Sequence, residues 1–201
     1  MKRVWLICCV CLGLTACIWF VPDEKKSETV STNDTLSANA KDSMVVKDSA
    51  SALNNFFSEK TIDTKGVHPQ QVVDFSKTLT GIPYRYASTD PSKGFDCSGF
   101  ITYVFNHFDI IVPRSSIDFT QVGRAIPPDS AKPGDLILFT GTDSTEKFVG
   151  HMGLVVSNAN KQLQFIHSTS GKKNGVTITP LNDYYVGRYM KTVRIFPQNE
   201  N

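Results

Sequence analysis

Cysteine is nearly missing from the body of this 201-residue chain: of five, Cys8, Cys9, Cys11 and Cys17 crowd the first 17 residues, and Cys97 stands alone. A disulfide framework is therefore excluded as the source of stability, and fold and function must come from an ordinary packed core. An excess of one charge is missing too. Lys and Arg number 21 against 19 Asp and Glu, and without Lys2 and Arg3 the balance is 19 to 19. Nucleic-acid binding depends on clustered cations that neutralise phosphates, so nothing in this balance points to a nucleic-acid partner. Large apolar residues are scarce between residues 22 and 51, where Ser, Thr, Asn, Asp, Lys and Ala dominate. What precedes residue 68 is too short and too polar for a second core, so one domain is expected.

What is present begins at the N-terminus. Lys2 and Arg3 precede an apolar run over residues 4–14, followed by the small Thr15 and Ala16 and then Cys17. That is the layout of an export signal. Leu14-Thr15-Ala16-Cys17 resembles the bacterial lipobox, in which the cysteine is acylated and the peptide before it removed. The resemblance implies a signal peptide over 1–16 and a lipidated N-terminus at Cys17. A tether then follows to residue 51, expected to be disordered, and a lead-in segment over 52–68. The alternative is an uncleaved anchor over 4–21, since about 18 apolar residues can just span a bilayer. Either way the domain is exported and held at a membrane. With the signal cysteines removed and Cys17 blocked, Cys97 is an unpaired thiol in an exported protein. Intermolecular pairing and catalysis are the usual reasons to keep one.

The pattern of elements predicts an α+β domain. His68-Pro69 opens a helix to about residue 80, with Pro at an early position and Val72, Phe75 and Leu79 on one face. After a loop rich in Ser, Asp, Pro and Gly, residues 95–108 read as a largely buried helix, which sets Cys97 at a helix N-terminus. Beyond Pro113, short apolar or alternating runs at 136–139, 152–156, 163–166, 176–179 and 192–196 alternate with turn residues. Helices first and strands after predict N-terminal helices packed on a central antiparallel sheet of about five to six strands.

A helix N-terminus offers free N–H groups and partial positive charge, which stabilise a thiolate and predict a reactive Cys97. Asp96 opposes this electrostatically, and its position suits a helix cap. A cysteine before an apolar helix can equally be a small core residue, so partners must decide. A thiol nucleophile needs a base, normally histidine, oriented by a third polar group. His68 and His107 fall where helix entry and helix end explain them. His151 and His167 flank a predicted hairpin and are symmetric about Ala159. A hairpin centred there sets the two opposite each other on one sheet face, projecting towards the Cys97 helix.

Five blocks read together carry a family resemblance: Gly-Ile-Pro-Tyr-Arg-Tyr (81–86), Gly-Phe-Asp-Cys-Ser-Gly-Phe (94–100), Pro-Gly-Asp-Leu-Ile-Leu-Phe (133–139), Gly-His-Met-Gly-Leu-Val-Val (150–156) and Phe-Ile-His-Ser (165–168). In this order they resemble the NlpC-type cell-wall endopeptidases, papain-like cysteine peptidases of bacteria, over about residues 69–197, with 198–201 as a tail. The resemblance implies Cys97 as nucleophile, His151 as base and His167 as its orienting group. Tyr84 matches a tyrosine whose hydroxyl helps hold the oxyanion. Asp96, Ser98, Arg114 and Ser115 match positions near the nucleophile that touch substrate. Two departures stand out. Ala87-Ser88 replaces a pair of glycines common in the family, and the glutamine that often follows Pro-Arg-Ser is displaced, with Gln121 nearest.

The implied activity is hydrolysis of amide bonds in peptidoglycan stem peptides, at the D-glutamyl-diaminopimelate link or at a cross-link, without cofactor or metal. The implied setting is the bacterial cell envelope: a monomer anchored by lipid, facing the periplasm from the outer membrane. Three alternatives use the same residues: a zinc site on Cys97, His151 and His167, a non-catalytic wall-binding module, and an acyltransferase.

Overall fold

The computed structural model describes residues 60–143 and 145–200. The segments expected to be the export signal, the Cys17 lipidation site and the tether, with residues 52–59 of the lead-in, lie outside the described residues. Among those described, no helix is long and apolar enough to cross a membrane.

Helix α1 spans Pro69–Thr78 and starts on a capping box. His68 accepts from the Gln70 N–H through Nδ1 at 3.2 Å, and the Gln71 side chain returns to the His68 N–H at 3.0 Å. Val72 and Val73 bury the inner face. A two-stranded ribbon follows, β1 Thr89–Asp90 paired with β2 Gly94–Phe95. Phe95 therefore belongs to this ribbon, and the buried helix α2 begins two residues later than the pattern predicts, at Cys97–Asn106. Its cap is Asp96, whose Oδ1 accepts from the Gly99 N–H at 2.6 Å.

The sheet comprises β3 Arg124–Ile126, β4 Leu136–Thr140, β5 Val149–Ser157, β6 Gln164–Thr169, β7 Gly175–Pro180 and, after the short helix α3 at Asp183–Val186, β8 Tyr189–Arg194. Their spatial order is β3-β8-β4-β5-β6-β7, antiparallel throughout. This is the expected α+β architecture with six strands. Strand β3 escaped the sequence pattern because three residues are too few to show an alternation.

Period-two alternation gives the sheet two faces. Leu136, Leu138, Met152, Leu154, Ile166 and Val193 join Phe100, Ile101, Val104 and Phe105 of α2 in one core. Ile137, Phe139, Val155, Phe165 and Tyr185 form a second core on the other face. Burying an aliphatic or aromatic side chain contributes about 1.5–3 kcal/mol, so the larger first cluster fixes α2 to the sheet.

The Pro-Gly-Asp block is an anchor for the chain's end. Asp135 is fully buried and takes a bidentate pair from Arg194, Nε at 3.1 Å and Nη2 at 2.8 Å, with further donors in the Lys132 N–H at 2.7 Å and the Asn199 side-chain amide at 3.3 Å. It ties β4, β8 and the C-terminal turn together.

The departure at 87–88 has a local cost. Ala87 sits at φ 56°, in the left-handed region that glycine enters freely. The Ser88 carbonyl lies over the start of α2, where a Cβ on Gly99 would stand 2.1 Å from it. Ala87→Gly should relieve the strain and raise stability by about 0.5–1 kcal/mol net of added unfolded-state freedom. Urea denaturation at constant m-value checks this, and an unchanged or lower midpoint would show that Ala87 is unstrained.

Candidate active site

Cys97 occupies the first position of α2 with its thiol partly buried. Backbone pairings bring Tyr84 beside it: Tyr84 bridges Phe95, and the Arg85 N–H donates to the Phe95 carbonyl at 3.0 Å. From the sheet, buried Ser168 donates to the same Phe95 carbonyl at 2.7 Å, which staples β6 to the residue two before Cys97.

The histidine pair forms, but not by the expected register. Leu154 pairs with Ile166 and Val155 with Phe165, so the hairpin is centred one residue later than Ala159. Continuing that register sets His167 opposite Gly153, and His151 becomes its diagonal neighbour on the same face. The shift of partner is two residues, an even number, so both rings keep a common face. Gly153 makes the diagonal possible: a Cβ there would lie 2.6 Å from Phe165 Cδ2 and 3.3 Å from His167 Cβ. Across that gap His151 Nε2 meets His167 Nδ1 at 2.8 Å.

A second expectation is corrected as well. The imidazoles do not project from the face that packs α2; they share the second core's face with Phe139, Phe165 and Tyr185. Tyr185 stacks on His151 at 6.3 Å and meets His167 edge-on at 5.5 Å. The thiol lies at the mouth of β5, where the pairing with β4 slips between Phe139 and Thr140 and Gly150 bulges. Its contact there is the Gly150 carbonyl, 3.9 Å from Sγ. Gly150 also packs directly on Gly141, with no room for a side chain between them.

Cys97, His151 and Tyr84 line one cleft of about 1050 Å3, with Thr169, Thr177 and Thr179 on one wall and Arg188 on another. Arg188 braces the wall by donating to the Thr140 carbonyl at 2.7 Å and the Gly141 carbonyl at 3.0 Å. Fully buried His167 lies behind His151, and its Nε2 meets Thr179 Oγ1 at 2.9 Å.

Asp96, Ser98 and Arg114 come together beneath the thiol. Arg114 grips both Asp96 oxygens, at 2.5 Å and 3.1 Å, and donates to Ser98 Oγ at 3.0 Å. With one oxygen also capping α2, the Asp96 carboxylate is largely consumed within the protein. Ser115 is exposed and precedes the 3-10 turn Ser116–Gln121 without a side-chain capping bond. Gln121 ends that turn and lines a separate groove. His107 stacks flat on Phe75 at 3.7 Å, away from the cleft.

The helix start is expected to lower the thiol's pKa with Asp96 opposing it, and burial tips the balance upward. Burial pushes it above its ordinary 9.0 and the Asp96 charge adds to the effect; the N–H groups of Ser98, Met152 and Cys97 pull the other way without prevailing. Burial likewise holds His151 well below 6.5, helped by His167 and Arg188, and holds His167 at about 4. Burial also raises the Tyr84 phenol above 10.0, with Cys97 and Asp96 adding to it, so its hydroxyl remains a donor. Both shifts favour the neutral forms of the thiol and of the imidazole that shares its cleft. Among the described residues, no group of three or more His, Cys, Asp or Glu side chains could hold a metal ion.

A thiol at a helix start shares one cleft with the first member of a histidine pair on an antiparallel sheet, an arrangement that suits a cysteine hydrolase. The chain belongs to the NlpC/P60 family, whose pattern matches residues 81–195. It is 36% identical to gamma-DL-glutamyl hydrolase of Bacillus subtilis over 124 residues, covering 62% of this chain and 29% of that protein. It is 29% identical to the murein DD-endopeptidase MepS/murein LD-carboxypeptidase of Escherichia coli over 142 residues, covering 70% and 68%. An NlpC/P60 family protein from Bacillus cereus, known from its crystal structure, superposes with a TM-score of 0.58 at 29% identity, over 67% of this chain and 42% of that one.

Thr179, Ser168, Tyr185 and Arg188 were missed from the sequence. Threonine, serine and tyrosine are ordinary strand and core residues, and only the strand register shows that 179 stands behind His167.

Proposed function

We propose that this chain is a peptidoglycan hydrolase that cuts an amide bond of the stem peptide, with Cys97 as nucleophile, His151 as base and His167 orienting it. The observation that carries this reading is the convergence of Cys97 and His151 on one cleft, with His151 hydrogen-bonded to His167 behind it. The named activities of the Bacillus and Escherichia relatives support the substrate class, and leave both the D-glutamyl-diaminopimelate link and the cross-link as targets.

In the reaction, His151 takes the Cys97 proton as sulfur attacks the carbonyl carbon. The carbonyl oxygen gains the negative charge and is met by the Tyr84 hydroxyl and by N–H groups at the start of α2. The imidazolium returns its proton to the leaving amine. Water, activated by His151, then hydrolyses the thioester and frees the thiol. Arg114, Asp96 and Ser98 hold the start of α2 in place, and Ser115 lies at the edge of this support. Acylation of Cys17 would hold the enzyme at the cell envelope, as a monomer facing the wall from the outer membrane.

The test is incubation of the full chain with purified muropeptides and identification of the products by mass. Paired fragments differing from the substrate by one water are expected. Intact substrate, with the wall material merely bound, would favour a binding module; transfer to an acceptor other than water would favour an acyltransferase.

The directions of the two shifts set the expected pH profile. His151 must be unprotonated to act as base, so the acid limb of kcat/KM should fall below pH 6.5. The thiol must supply the proton later given to the leaving amine, so the alkaline limb should lie above 9.0. Rates measured between about pH 4 and 10.5, together with the pH dependence of iodoacetamide alkylation, check this. An alkylation midpoint well below 9 would mean that a thiolate–imidazolium pair exists before substrate binds.

A further inference from the structure

We infer that Thr179 is a positioning residue: its hydroxyl accepts the Nε2–H of His167, and so holds His167 in the tautomer whose Nδ1 is free to accept from His151. The inference rests on the reading of Cys97 and His151 as nucleophile and base. It extends the hydrogen-bonded chain one member beyond the histidine pair, to a residue on a different strand.

The chain of contacts is continuous. His151 Nε2 lies 2.8 Å from His167 Nδ1, and His167 Nε2 lies 2.9 Å from Thr179 Oγ1. Because Nε2 of His151 is occupied, Nδ1 is the ring nitrogen left to take a proton from the cleft. A neutral imidazole has one N–H, so a basic Nδ1 requires the hydrogen on Nε2. That hydrogen then needs an acceptor, which must be an unprotonated Nδ1 on His167. His167 in turn must carry its hydrogen on Nε2 and donate it onwards. The ring is fully buried, with no exposed surface, so solvent cannot be the recipient. Thr179 Oγ1 is the atom in place.

The demand sharpens during turnover. Once His151 has taken the thiol proton it carries hydrogens on both nitrogens, and its Nε2–H must still meet an acceptor. The opposite polarity, with Thr179 donating into His167 Nε2, puts a hydrogen on His167 Nδ1 and opposes the imidazolium N–H directly. Threonine suits the position because one hydroxyl can accept from His167 while its own hydrogen turns to the cleft that Thr179 lines. Strand geometry holds it there: Thr179 pairs with Phe165, two residues from His167 on the same face of β6.

Removing the hydroxyl leaves a buried N–H without an acceptor, which costs more than a buried bare lone pair. In Thr179→Val the Nδ1–H form of His167 should therefore gain population, and the base loses its partner. The full chain carrying Thr179→Val, Thr179→Ser or no change would be compared in two ways. Ring-nitrogen NMR reads the tautomer of His167 directly, and muropeptide cleavage gives kcat and KM. Expected are an Nε2–H tautomer in the unchanged protein and in Thr179→Ser, and a shift towards Nδ1–H in Thr179→Val. With it kcat should fall about 10- to 100-fold while KM stays within about twofold, and Thr179→Ser should recover most of the rate.

An Nδ1–H tautomer in the unchanged protein overturns the inference, and so does Thr179→Val with unaltered tautomer and kcat. Equal losses in the Ser and Val variants would also overturn it, because they would show that the methyl group rather than the hydroxyl matters. If Thr179→Val fails to fold, the tautomer of the unchanged protein and the Thr179→Ser comparison decide. Absence of any cleavage by the unchanged protein would sink the proposed function instead, and the NMR signals would still report on Thr179.

Discussion

Replacing Cys97 by alanine should reduce stem-peptide cleavage by at least about 10^4-fold, to the level set by binding and oxyanion contacts alone. No second thiol is at hand: Cys97 is the free cysteine among the described residues, and the hydroxyls and amines sharing its cleft are much weaker nucleophiles without an activating base. The fold should survive. Cys97 is the first residue of α2, where the cap comes from the Asp96 side chain and alanine is a good helix former. The losses are the weak contact from Sγ to the Gly150 carbonyl, the backbone N–H contacts to sulfur and a little packing against the first core. The melting temperature should therefore move by no more than a few degrees while activity disappears. Product analysis by mass beside a thermal melt separates the two effects. Cleavage that persists in the alanine variant would mean that the thiol mechanism is wrong.

The largest effect on stability is expected at Asp135, far from the chemistry. Its carboxylate is fully buried and accepts from Arg194, Lys132 and Asn199. Asp135→Ala would leave the Arg194 guanidinium, whose side chain is only 6% exposed, without its counter-charge. Breaking a buried pair from one side costs about 3–5 kcal/mol, against a total of about 5–15 kcal/mol for a domain. A fall in melting temperature of about 10 °C or more follows for a domain of this size. Thermal denaturation followed by circular dichroism reads it. A drop of only a degree or two would show that Arg194 finds other partners, such as the Ser130 carbonyl it already contacts at 2.9 Å. Asp135→Asn should lie between the two, keeping the shape while losing the charge.

These substitutions mark two ways in which the sequence was legible. Asp135 and Cys97 both stand in short ordered blocks, but one block is a structural anchor and the other presents the proposed nucleophile. Reading alone could not separate them, because a buried carboxylate and a substrate-facing one are the same letter. The cluster at Asp96, Ser98 and Arg114 shows this most clearly. The resemblance sets these residues beside substrate, and their hydrogen bonds run mainly to one another and to the start of α2.

The sequence by itself determined the α+β class, a buried helix starting within two residues of Cys97, and the succession of the main strands. These follow from periods of 3.6 and 2 and from capping residues, which are local. Only the tertiary structure decided the register that makes the histidines diagonal across Gly153, the face they share, Thr179 behind them, and the burial that pushes the thiol's pKa up. Register depends on how two distant strands share a core, and a shift of two residues leaves every alternation in the sequence unchanged. Desolvation depends on what packs around a group from elsewhere in the chain, so burial could override the helix terminus that the local pattern placed beside Cys97.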